Sequence, residues 1–70
     1  MSEPIFYVIG MNEHTGYISA ASNGGYEFVK TMAARYREQG YLSKILSPEE
    51  FEAIGAMAAS DRHALVASDR

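Results

Sequence analysis

The residues in this chain best suited to chemistry are two histidines, His14 and His63, and a set of carboxylates. His14 sits beside Asn12 and Glu13, all with side-chain donor atoms. Three neighbouring loop residues rarely converge on one ion, however, and no pair of histidines has the spacing that puts two ligands on one helix face. A solvated turn is the expected setting for His14. His63 follows Asp61-Arg62, and a solvated helix end is expected there rather than a general base. Serine, histidine and aspartate are all present, but no Gly-x-Ser-x-Gly elbow presents a nucleophile. A chain of 70 residues also has little material with which to wall off a substrate pocket. The absence of cysteine excludes disulfides, thiolate metal sites and cysteine nucleophiles. No catalytic residue, cofactor or metal site is therefore assigned.

Ser22-Asn23-Gly24-Gly25 reads as a strand-to-helix turn, a setting in which free amides can hold a phosphate or carboxylate. It lacks the lysine of a P-loop and the three-glycine pattern of a dinucleotide turn. Lys30, Arg35 and Arg37 give the following segment a basic tint, tempered by Glu27 and Glu38. The net charge of −3 and pI near 5.2 argue against a broad basic face, so direct nucleic-acid binding is not expected.

The tyrosines stand out: Tyr7, Tyr17, Tyr26, Tyr36 and Tyr41, with no tryptophan. Tyrosine combines rigid contact area with a polar tip and is enriched at protein interfaces. Tyr7 is the best core candidate. Tyr17, Tyr26 and Tyr41 are the candidate contact residues, joined by Glu49, Glu50 and Glu52, which would present a negative patch to a basic nucleic-acid-binding protein.

These residues need elements to position them. Ile5–Ile9 is a β-branched and aromatic run between Pro4 and Gly10, and reads as a strand. Tyr17–Ala21 is a weaker second strand, reached through turn formers at 12–16. A helix is expected from about Gly25 to Gln39, with Phe28, Val29, Met32, Ala33 and Tyr36 at helical spacing and Gly40 as its stop. Tyr41–Leu46 reads as a third strand. Ser47-Pro48-Glu49-Glu50 is a capping box with proline at N1, stapled by Leu46 and Phe51, so a second helix starts there. It either runs through Ser60-Asp61 or gives way to a short helix carrying Leu65 and Val66.

The expected fold is α+β: a single two-layer domain over 1–70 in ββαβα order, with 67–70 as a frayed tail. Its three-stranded mixed sheet has order 2-1-3 and packs with two helices. The third strand runs parallel to the second. Strand one is apolar on both sides and belongs at the centre. Helices on one face only would leave one of its sides open for a partner or a second copy; helices on opposite faces would leave nothing over.

Of the hydrophobic residues, 23 are larger than alanine, a small stock for an independent core. The acidic N-terminus and the five-residue apolar run give no secretory signal and no membrane span, so a cytoplasmic protein is expected. Together these features indicate a small acidic non-enzymatic interaction module, an inhibitor that occludes a partner's functional surface or a homodimer. In size, acidity and lack of catalytic equipment the chain resembles small phage-encoded inhibitors of bacterial defence, such as anti-CRISPR proteins. The alternatives are a small-ligand or anion-binding regulatory domain built on the Ser22–Gly25 turn and the His14 loop, or a structural subunit of a larger assembly.

Overall fold

A computed structural model describes residues 4–67. The chain forms β1 (Phe6–Met11), β2 (Ile18–Gly24), α1 (Tyr26–Glu38), β3 (Leu42–Leu46), α2 (Pro48–Gly55) and α3 (Ala59–Ala67). The fold is α+β, and the sheet has the order β2-β1-β3. Both neighbours of β1 pair antiparallel to it, with Val8 opposite Ser22 on one side and Ile45 on the other. The expected mixed sheet is thus corrected to an antiparallel one. β2 and β3 do run in the same direction, but β1 lies between them and they never pair.

β1 runs two residues further than expected at its far end, to Met11, because Gly10 does not stop it. A side chain at Gly10 would lie 3.0 Å from the ring of Tyr36, so the missing Cβ is the space in which Tyr36 packs. β2 likewise runs on through Ser22-Asn23-Gly24, where a turn was expected.

Side chains alternate across a strand, and β1 feeds a core on each face. Val8 packs with Val29, Ala33 and Tyr36 of α1. Ile9 and Met11 pack with Leu42 and Leu46 of β3, Ile54 of α2 and Val66 of α3. Tyr7 belongs to this second face, its ring stacked on Phe51 at 4.4 Å. Helices therefore lie on both faces, three of them rather than two, and the expected two-layer ββαβα domain becomes a ββαβαα one with three layers. Strand one is buried on both sides, with Val8, Ile9 and Met11 fully enclosed.

The capping box forms as read. Glu50 N–H donates to Ser47 Oγ at 3.2 Å, and Ser47 N–H donates to Glu50 Oε1 at 2.9 Å. α2 stops at Gly55, and α3 starts at Ala59, settling the open question in favour of two short helices. Ala67 closes α3 and touches the core; the rest of the expected frayed tail, 68–70, lies outside the described residues. No helix among the described residues is long and apolar enough to cross a membrane.

Candidate interaction surface

The loop between β1 and β2 is held from within. Asn12 Oδ1 accepts hydrogen bonds from His14 N–H at 2.8 Å and Thr15 N–H at 3.0 Å. This is the side-chain turn that asparagine favours. His14 is exposed, and its Nε2 lies 3.4 Å from Glu13 Oε1. Among the described residues no group of three metal-ligating side chains comes together.

His63 is not a free helix end. It is half-buried, and its Nε2 meets the Glu13 carbonyl oxygen. Beside it, Arg62 is buried, 8% exposed. Its Nε donates to the Gly16 carbonyl at 2.8 Å, and its Nη1 to the carbonyls of Ile54 at 3.1 Å and Met57 at 3.3 Å. The last two mark the C-terminal end of α2, where a cation is favoured by the helix dipole. Arg62 carries one sequence signal for burial, the four-residue spacing that puts it on the same helix face as Val66.

At the other end of β2 the reading of a ligand-holding turn changes. Ser22 lies within the strand, its hydroxyl 2.8 Å from the Tyr36 hydroxyl. Gly25 caps α1 without a side-chain bond. The Ser22–Gly25 segment and the His14 loop lie at opposite ends of β2, as the topology implied.

The candidate contact residues are spread over the domain. Tyr17 precedes β2 and is 65% exposed, while Tyr26 follows it and is 51% exposed. Tyr41 is half-buried against the α1 core at the start of β3, and with Arg37, Glu13, Ser43 and Val66 lines a cleft of about 470 Å³ along that strand's outer edge. Glu49, Glu50 and Glu52 are exposed on α2. The Ser47 N–H holds the Glu50 carboxyl below its ordinary value of 4.5, aided by the Ser47 side chain and the Lys44 charge. Glu50 is thus occupied by the helix start, which leaves Glu49 and Glu52 as the outward acids.

What the structure does bring together is an aromatic corner. The rings of Phe6 and Tyr26 meet edge to face at 5.5 Å, and Lys30 Nζ lies 5.5 Å from the Tyr26 ring centre. Gly24, opposite Phe6 in the sheet, leaves the space into which the Phe28 ring leans; a Cβ there would be 2.9 Å from it. Phe28 was expected in the buried stripe, but it is 50% exposed. The stripe runs through Val29, Ala33 and Tyr36, and Phe28 is one residue, about 100° of helix rotation, away from it. Ile5, next to Phe6, adds a side chain 55% exposed.

No family model matches the chain, and no curated protein or solved structure does either, so the likeness to phage-encoded inhibitors remains one of size and charge.

Proposed function

We propose that this protein is a non-enzymatic interaction module that works by laying the aromatic corner between β2 and α1 against another protein surface. The exposure of Tyr26 and Phe28 beside Phe6 carries this reading. A chain with so few large apolar side chains leaves two aromatics half in water at one corner, although fully burying such a side chain is worth roughly 1.5–3 kcal/mol. Aromatic side chains are enriched at protein contact sites and dominate their energetics. A module of this kind acts by covering a functional surface of its partner. Lys30 and Glu27 at the rim of the corner supply polar contacts.

The test is capture of a stoichiometric protein partner by the wild-type chain and by Tyr26→Glu, Phe28→Glu and the control Ala34→Glu. All three positions are exposed, and thermal unfolding of each variant checks that it still folds, Tyr26→Glu losing about 0.5–1.5 kcal/mol with its Phe6 contact. Partner retention falls for the first two variants and not for the third. Equal retention by all four proteins would exclude the corner as the contact site.

A further inference from the structure

We propose that β2 is a homodimer edge, pairing antiparallel with the same strand of a second copy so that two three-stranded sheets join into one of six strands. The proposal rests on the reading of Tyr26 and Phe28 as contact residues, and it names their partner.

The two edges of the sheet are treated differently. β3 carries Lys44 at its middle, and a charge on an edge strand discourages pairing with another chain. β2, longer at seven residues, has no charged side chain. The neutral stretch extends from Gly16 to Tyr26 in a chain that is 21% charged. Among the described residues its only strand neighbour is β1. Between two copies that each carry −3, pairing through β2 adds no short-range contact between like charges.

The flanks of β2 complement one another under a two-fold axis. Tyr17 stands at its start, and Tyr26 and Phe28 stand at its end, all at least half exposed. The strand between spans about 23 Å at the usual rise per residue. In an antiparallel pair the start of one strand lies beside the end of the other. A single two-fold rotation therefore sets Tyr17 near the partner's Phe28, which leans over Gly24 at the end of β2, and does so twice, as a self-complementary interface requires. The face above β2 is also open: Ala21 and Asn23, on the side covered elsewhere by α2 and α3, are exposed and small.

The experiment is sedimentation equilibrium over a concentration series. The wild type is expected to approach twice the chain mass of 7.7 kDa. Ala21→Lys, which places two ammonium groups next to one another at the axis, is expected at 7.7 kDa, while Ala34→Lys on the outer side of α1 still dimerises. Tyr17→Glu, outside the strand, repeats the test should Ala21→Lys fail to fold. A wild type that stays at the chain mass throughout overturns the dimer, and so does a dimer that Ala21→Lys and Tyr17→Glu leave intact. The wider reading is judged separately: a monomeric wild type whose foreign partner is lost in Phe28→Glu keeps the contact corner while removing the second copy from it.

Discussion

Arg62 donates its Nε–H to the Gly16 carbonyl oxygen at 2.8 Å, tying α3 to a hairpin loop 46 residues earlier in the chain. The same guanidinium holds the Ile54 carbonyl near the end of α2 and the Met57 carbonyl just beyond it. One side chain thus joins three separate segments, and its planar fork of donors suits that task.

Replacing Arg62 by alanine leaves these carbonyls without their partner in a buried setting. Hydrogen bonds from a charged donor are worth about 1.5–3 kcal/mol net, so a loss of about 2–4 kcal/mol is expected from urea unfolding. Arg62→Lys should recover only part of it, because one ammonium cannot bridge Gly16 and α2 with the same geometry. Full recovery by lysine would show that charge rather than the fork matters.

Gly16 and Gly40 both have positive φ, 80° and 93°, but their surroundings differ. A Cβ at Gly16 would lie 2.1 Å from the Ala59 carbonyl oxygen, whereas nothing lies within 4 Å of one at Gly40. Gly40→Ala is expected to cost only the backbone strain, about 1–2 kcal/mol. Gly16→Ala must in addition displace α3 from the loop and lengthen the Arg62 bond. Thermal unfolding of the two variants side by side should put Gly16→Ala clearly lower; equal losses would contradict the close approach.

The pH dependence follows from the capping box. Glu50 has its carboxyl held below 4.5 by the folded state, so the unfolded chain binds its proton first as pH falls. The stabilisation is therefore complete above the ordinary value and is lost as pH drops through the lowered one. Glu50→Gln should flatten the acid limb of stability against pH in that window. An unchanged limb would assign the acid sensitivity to other carboxylates.

Two serine hydroxyls behave oppositely. Ser22 Oγ meets Tyr36 Oη at 2.8 Å in a half-buried setting, while Ser43 Oγ is buried with no hydrogen-bond partner among the described residues. Ser22→Ala should cost about 1 kcal/mol, and Ser43→Ala should be neutral or stabilising, since it removes a polar atom that gains nothing from burial. Denaturant midpoints of both variants check the contrast. A clear loss in Ser43→Ala would reveal an ordered water on that hydroxyl.

Local signals in the sequence accounted for the element types and for one helix start in atomic detail. Ser47, Pro48 and Glu50 act within four residues, so their consequence needs no distant contact. The strand order was also legible, because a segment as apolar on both sides as Ile5–Ile9 has few places to go except the centre of a sheet. The strand ends were not, since Gly10 stays in β1 through its pairing with Ala20 and Ser43, residues distant in the chain. The fate of Phe28 was hidden for a related reason. It lies at the margin of a helical stripe, and only the docking of α1 on the sheet decides which residues at that margin face water.

The candidate contact set divides in the same way. Residue type made Tyr17, Tyr26, Tyr41, Glu49, Glu50 and Glu52 candidates, and type is a property of the sequence alone. Their grouping depends on topology. The order β2-β1-β3 puts Tyr41 on the opposite edge of the sheet from Tyr17, while the turn at Gly24–Gly25 carries Tyr26 and Phe28 to the corner beside Phe6. By itself the sequence determined the helix cap, the neutral stretch from Gly16 to Tyr26 and the central strand, because short-range sterics, charge and hydropathy suffice for these. Only the tertiary structure decided that helices cover both faces, that Arg62 is buried on backbone carbonyls, and that the uncharged β2 pairs, among the described residues, with β1 alone. Each of those depends on segments distant in sequence competing for the same space.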